Sequence, residues 1–296
     1  MITILGASGH TGHVAAERLL KEGQKVRAIA RSSDRLKHLV ALGAEAAVGD
    51  ATDAGFLAGA FAGSDVVYTL IAPDTTSDDY PAFQDRMGEA ITSAVKTSRV
   101  KRVVFLSSVG AEQLSGTGPI AGLGRQERRL ASITGLNSLS LRATYFMENH
   151  LATLGLIKHQ GLNGSALAGD VPFPMIASGD IGQVVADVLA KPDFAGTSTR
   201  ELLGPRDLTM NEVTRIIGAA IGRPDLAYMQ FPYDAALEGM VGAGLSKSVA
   251  AGYVEMSRAF NEGRIKSLEG RNARNTTPTR FEDFAAHVIA PLYRAV

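Results

Sequence analysis

The sequence predicts an α/β protein built on a doubly wound parallel sheet, and three observations predict it. Short apolar runs alternate with helix-period segments through the first half of the chain, and a glycine-punctuated turn joins the first run to the first helix. Small, hydroxyl or charged residues stand where the runs end. Ligands of such sheets bind in the crevice beyond the carboxyl ends of the strands, so the residues that end the runs are candidate site residues.

The first run is Ile2, Ile4 and Leu5, and it leads into Gly6-Ala7-Ser8-Gly9-His10-Thr11-Gly12. Glycines let the backbone approach a pyrophosphate, and the free N–H groups of a helix beginning near Thr11 face its negative charge. The spacing is GxxGxxG rather than GxGxxG, but its place between strand and helix makes it a Rossmann-type nucleotide cradle. Val14, Ala15, Leu19 and Leu20 continue the helix at the right period, and Gly23 stops it. A second strand is read over Gln24 to Arg31, and its Val26-Arg27-Ala28-Ile29-Ala30 leads straight into Arg31-Ser32-Ser33. An acidic residue at this strand end would bond a ribose 2′-hydroxyl, whereas arginine pairs a 2′-phosphate, so Arg31 predicts NADP(H) in preference to NAD(H). Ser32 and Arg35 can add a donor and a charge.

A third strand, Ala44 to Val48, ends in Gly49-Asp50, and Asp53 caps the following helix. Asp50 suits the adenine edge of the cofactor and equally a plain turn. Asp65 to Ile71 is a nearly continuous apolar strand, as in a sheet covered on both faces, and it ends at Ala72-Pro73, where small size leaves room for a nicotinamide ribose and Pro73 equally serves just to end the strand. Pro81 opens a helix to about Ser98, and Arg102 to Leu106 is a strand ending in Ser107-Ser108. Leu114 to Gly124 reads as a glycine-rich loop, Arg125 to Ile133 as a charged helix and Asn137 to Arg142 as a strand, with Tyr145-Phe146-Met147-Glu148-Asn149 just beyond it.

From there the alternation loosens. Pro172 to Met175 reads as irregular and apolar, Asp180 as the cap of a helix through Leu189, and Arg200 to Leu203 as a late strand. Thr209 and Glu212 form a capping-box pair opening a helix to about Ile221. Tyr228 to Phe231 is extended, Tyr233 to Gly263 helical in two pieces broken around Gly242–Gly244, and Phe281 to Tyr293 a terminal helix. The predicted organisation is a dinucleotide-binding Rossmann domain over residues 1–147, completed by parts of 176–205. Residues 148–296 form a smaller, mostly helical C-terminal α+β substrate or partner lobe closing over the cofactor face.

Composition narrows the function. The chain has 296 residues, 45% hydrophobic and 20% charged, which suits a folded globule. Thirty basic side chains balance thirty acidic ones, so no whole-molecule field draws the protein to nucleic acid or an anionic membrane. Cysteine is absent, which removes disulfides and thiol catalysis. No apolar run reaches the roughly 18 residues of a bilayer span, and the first residues are too short and uncharged for a secretion signal, so a soluble cytoplasmic protein is expected. No Gly-x-Ser-x-Gly elbow or Gly-Lys-Ser/Thr loop occurs. The six histidines show no His-x-x-x-His pair and suggest no acidic companion, so no metal site is expected.

The glycine turn, Arg31, Gly49-Asp50, the run Arg102 to Ala111, Leu141-Arg142 and Phe146-Met147-Glu148-Asn149 together resemble the NmrA-like branch of the atypical short-chain dehydrogenase/reductases. The resemblance implies a Rossmann domain with a small substrate lobe that binds NADP(H) or NAD(H). It would place Gly6, Gly9, Thr11 and Gly12 on the pyrophosphate, with Ser8 and His10 in the same turn, Arg31 on the 2′-phosphate and Asp50 near adenine. Ala72, Pro73 and Ser107 would lie along the nicotinamide half. Members similar to NAD(P)H:quinone oxidoreductases pass hydride to a quinone-like substrate, whereas others are redox sensors acting on a protein partner.

Conventional short-chain reductases use Tyr-x-x-x-Lys, in which lysine lowers the tyrosine pKa. None of the seven tyrosines here has lysine four residues on, and Gly122 to Glu127, where reducing relatives keep a lysine, has none. A quinone needs little more than positioning and modest stabilisation of a phenolate-like oxygen, for which Ser107 and Tyr145 are the candidate catalytic groups. Phe146, Phe173 and Tyr228, with Met175, Phe231 and Tyr233, are candidates for an apolar substrate pocket. Tyr145 and Phe146 also fit as core aromatics at a strand end, and for any single one of the other five, plain core packing is the better reading.

Overall fold

The computed structural model describes residues 1–295. Its first half alternates as the apolar runs require: β1 (Ile2–Leu5), α1 (His10–Lys21), β2 (Val26–Ala30), α2 (Lys37–Ala41), β3 (Glu45–Val48), α3 (Ala54–Phe61), β4 (Val66–Thr69), α4 (Tyr80–Ser98), β5 (Arg102–Ser108), α5 (Pro119–Ala131) and β6 (Asn137–Ala143). The second half follows with β7 (Tyr145–Phe146), α6 (Leu154–Gln160), β8 (Leu162–Ser165), β9 (Phe173–Ile176), α7 (Ser178–Ala190), β10 (Thr197–Leu202), β11 (Asp207–Leu208), α8 (Met210–Ile221), β12 (Ala227–Gln230), α9 (Tyr233–Gly242) and α10 (Lys247–Asn261). The terminal helix consists of α11 (Phe281–Phe284), a wider π turn and α12 (Ala290–Ala295).

Seven strands form one parallel sheet in the order β10-β6-β5-β4-β1-β2-β3. The chain runs from β1 outward to β3, then crosses back to β4 and builds the other way, so the strand order reverses between β1 and β4. A crevice opens at such a reversal, beyond the strand ends. This is the doubly wound, Rossmann-like α/β architecture that the alternation predicts. One face of the sheet buries Ile4, Leu19, Val104, Leu141 and Ile181 under α1 and α7, and the other buries Leu57, Phe61, Met87, Ile91 and Phe105 under α3, α4 and α5. Helix α7 sits close on α1 because residue 182 is glycine: a Cβ there would stand 2.6 Å from Val14 Cβ and 2.8 Å from the Thr11 carbonyl. A third apolar cluster, including Met147, Ile157, Phe173, Val213, Phe260 and Phe281, fills the second half under two small sheets, β11-β9-β7 and β12-β8.

Three local expectations are corrected. Helix α5 begins at Pro119 rather than Arg125, because its glycines serve helix packing rather than a loop. A Cβ on Gly122 would overlap the Gln84 amide, and one on Gly124 the Ala111 carbonyl. Phe173–Ile176 is a strand rather than an irregular stretch, and its neighbours β7 and β11 contribute two residues each, so the N–H missing at Pro174 costs little. Asp180 does not cap α7. Its carboxylate accepts the Thr279 N–H at 3.0 Å and hydroxyl at 2.7 Å. The start of α7 is served instead by Glu148, which accepts the Ser178 N–H at 3.0 Å and hydroxyl at 2.6 Å. Among the described residues no helix is long and apolar enough to cross a membrane.

Candidate functional site

At the strand-order reversal lies a cavity of about 630 Å³, running from the Gly6 turn past the ends of β4 and β5 to the third apolar cluster. Its first third is made of backbone. Gly6 adopts φ +75°, where only glycine is unstrained, and Ala7 N–H is tied to the Ile29 carbonyl at 3.1 Å. Gly12 is what lets the turn close: a Cβ there would sit 2.9 Å from the Gly6 carbonyl carbon and nearer still to its oxygen. Helix α1 has extended Gly9 as N-cap and no side chain capping it, so its first-turn N–H groups open toward the cavity. The cradle therefore fits a pyrophosphate, with Gly6, Ser8, Gly9, His10 and Thr11 on its wall and Gly12 behind it as a packing residue. The Thr11 hydroxyl lies 3.0 Å from the Tyr68 hydroxyl in the interior and fastens α1 to β4.

Arg31 and Arg35 both line this end, are exposed, and enter no ion pair among the described residues. The Asp74 carboxyl is held below the usual range by the Thr76 hydroxyl and N–H, with Arg31 adding to the effect. Asp50 is off the wall: it turns back to accept Thr52 N–H at 2.9 Å, while Gly49 and Ala51 line the cavity. Its side chain closes its own turn, as the alternative reading of Asp50 required.

In the middle, Ala72, Pro73 and Ser107 line the cavity. The Ser107 hydroxyl donates to Glu127 Oε1 at 2.5 Å, and the same carboxylate receives Arg142 Nε at 3.0 Å and Nη2 at 2.7 Å. Arg142 also reaches Glu112 at 3.1 Å. Hydrogen bonding to Glu127 raises the Arg142 guanidinium above its ordinary value despite burial. This network holds Ser107 as an acceptor, its proton already committed.

The far end is side-chain packing. Tyr80, Gln84 and Met87 of α4, Pro119, Ile120 and Leu123 of α5, and Tyr253, Met256 and Phe260 of α10 wall it together with Tyr145 and Phe146. Tyr145 packs against His150, Phe173 and Phe260 at ring distances of 5.5, 5.4 and 6.0 Å, and burial pushes its hydroxyl well above the usual phenol range. It is a poor acid. Two expected pocket residues are corrected. Phe173 lies in the third apolar cluster, 3% exposed and off the wall. Tyr228 is also elsewhere: its hydroxyl donates to the Leu167 carbonyl at 2.7 Å and shares a 2.8 Å bond with Ser165, and burial pushes it up to about 12. The α10 residues went unseen in the sequence, although Tyr253, Met256 and Phe260 fall at helical spacing on one face. One further correction concerns histidine: His13 does have an acidic companion, Glu17, one turn along α1.

Comparison with known proteins agrees with this architecture. An NAD(P)H azoreductase of Xenophilus azovorans is 28% identical over 253 residues, 84% of each chain. An NADPH-dependent quinone oxidoreductase of Escherichia coli, solved with NADPH, has the same fold at a TM-score of 0.82, with 21% identity over 98% of this chain and 100% of its own. A Citrobacter sp. triphenylmethane reductase complexed with NADP(H) follows at 0.78, with 18% identity over 97% of this chain and 99% of its own. Residues 1–285 match the NmrA-like family from end to end of the cleft, and this chain belongs to that family.

Proposed function

We propose that the protein is an NADP(H)-preferring oxidoreductase that passes hydride from NADPH to a flat apolar acceptor of the quinone or dye class. One observation carries the reading: a single cleft joins an uncapped glycine cradle and unpaired arginines to a chamber of aromatic and thioether side chains. The azoreductase relative and the quinone and dye reductases of like fold support it.

The dinucleotide, when bound, supplies the hydride. The chain supplies the rest. The N–H groups at the start of α1 bind the pyrophosphate, and Arg31 with Arg35 binds a 2′-phosphate. Ala72 and Pro73 leave space for the nicotinamide ribose. Tyr253, Met256 and Phe260 hold a planar acceptor and exclude water. Ser107, locked to Glu127, orients by accepting a hydrogen bond, and neither it nor Tyr145 is poised to give up a proton. An easily reduced acceptor tolerates that, because positioning carries most of the work and the proton can come from solvent.

The test is NADPH oxidation with and without a panel of quinones and azo dyes, after calorimetric titration with NADPH, NADP⁺, NADH and NAD⁺. Acceptor-dependent turnover is expected. Tight dinucleotide binding with no turnover above background would overturn the reductase and favour a redox sensor acting on a protein partner, the reading that the missing Tyr-x-x-x-Lys pair supports.

A further inference from the structure

Outside the cleft, α1 and α2 bring together a cluster that the hydride chemistry leaves without a role. His13 and Glu17 are four residues apart on α1 and share one face, and His38, the second residue of α2, reaches the same spot. His13 Nε2 lies 3.8 Å from Glu17 Oε2, and His38 Nε2 lies 3.3 Å from Glu17 Oε1. One ligand atom from each of the three falls within 4.8 Å of the others. We propose that His13, Glu17 and His38 form a surface site for a borderline transition-metal ion of the zinc class.

The chemistry of the donor set and its spacing both point there. Zinc bonds to imidazole nitrogen and carboxylate oxygen at about 2.0–2.2 Å in tetrahedral geometry, which separates ligand atoms by roughly 3.3–3.5 Å. The His38–Glu17 distance, to Oε1, already meets this; His13 stands 3.8 Å from the other oxygen, Oε2, and its exposed ring has to turn in toward the shared position, within the 4.8 Å that bounds all three ligand atoms. Two imidazoles and one carboxylate suit zinc, copper or nickel, whereas calcium and magnesium ask for shells of oxygen. The side chains are 35%, 28% and 57% exposed in chain order, which leaves the fourth position open to water. The competitor is Lys21, whose ammonium sits 2.7 Å from Glu17 Oε1. Lys21 is 61% exposed, so this pair is screened by solvent and weak, and a divalent ion can displace the ammonium.

Such an ion would act as a staple. Helix α1 starts at the cleft with His10, three residues before His13, and α2 follows directly on the turn Asp34–Leu36 that carries Arg35. Bridging the two helices fixes the segment between β2 and α2 against α1.

The experiment uses the tag-free full chain, stripped of metal, titrated calorimetrically with zinc chloride and followed in parallel by the visible absorption of cobalt chloride. The expected result is one zinc per chain, a raised unfolding midpoint in zinc but not in magnesium, and a cobalt band of tetrahedral intensity. His38→Ala and Glu17→Gln should each weaken zinc at least about tenfold, since even outer-shell partners of a metal contribute 10–100-fold. His159→Ala, at an exposed position of α6, should leave the affinity unchanged. Unchanged zinc affinity in both ligand variants would overturn the proposal, as would the absence of saturable zinc heat in the natural sequence. The cobalt spectrum of the natural sequence decides the matter even where a variant folds poorly.

Discussion

The two ends of the cleft are made of different materials. The cradle end is backbone: a left-handed glycine, a glycine whose missing Cβ lets two segments touch, and the open N–H groups of α1. The far end, the proposed acceptor end, is side chain: tyrosine and methionine of α4, proline, isoleucine and leucine of α5, and tyrosine, methionine and phenylalanine of α10, from residues as far apart as 80 and 260. A backbone site tolerates no added atom but depends on few residues. A packed site depends on many residues and gives way gradually.

Gly12→Val is the strongest test of that difference. Its side chain would meet backbone that cannot rotate aside, so a loss of about 3 kcal/mol or more is expected, at or beyond the upper end of ordinary overpacking. Dinucleotide binding should vanish with it. A melting curve close to that of the natural protein would show the cradle to be pliable. Acid probes the other end next. His150 lies under Tyr145 and Phe281, its Nε2 without a partner, and burial lowers its imidazole to about 4. Because the folded value is depressed, the neutral ring is stable above the unfolded pKa, and stability falls as pH drops from about 6.5 toward 4, by about 3 kcal/mol in all. His150→Phe should flatten that limb of the denaturation midpoint against pH. An unaltered limb would place the acid sensitivity elsewhere.

Arg31→Ala sharpens the comparison within the cradle itself. NADPH should bind about 1.5–3 kcal/mol more weakly, the usual worth of a charged hydrogen bond, and NADH should be little changed. Equal weakening of both, by calorimetry, would make Arg31 structural. Met256→Ala is the mildest case: at the acceptor wall it should raise acceptor KM by about 1 kcal/mol, roughly fivefold, for loss of apolar contact, and leave the NADPH Kd alone. A shift in the NADPH Kd would join the two ends into one unit.

The same contrast explains what could be read from the amino-acid sequence. The turn at Gly6, Gly9 and Gly12 was legible because few roles other than close backbone approach need glycine at that spacing, and the place of Arg31 at a strand end because the apolar run before it was plain. The sheet followed from the apolar runs. The acceptor wall was not legible, since Tyr253, Met256 and Phe260 at helical spacing look the same whether they face a core or a cavity. Tyr228 and Phe173 show the converse: apolar and aromatic residues of the second half that spend their surface on their own cluster. Asp50 and Asp180 offered polar groups whose partners, a local N–H in one case and Thr279 ninety-nine residues away in the other, no spacing rule distinguishes. The glycines of α5 looked like a loop because glycine marks both freedom and tight contact.

Helix α7 carries a consequence for how the cleft is entered. Within five residues it is gripped at three points: Ser178 by Glu148, Asp180 with Thr279, and Gly182 seated on α1. A joint held at three points ties the sheet to the second half, and hinging there would have to break all three contacts. Tyr253 and Met256 stand half-buried on the chamber wall, where a change of rotamer would reshape the chamber without disturbing α7. For the flat acceptor proposed above, side-chain rotation at those two residues would then be the expected means of entry, and their bulk the expected limit on acceptor size.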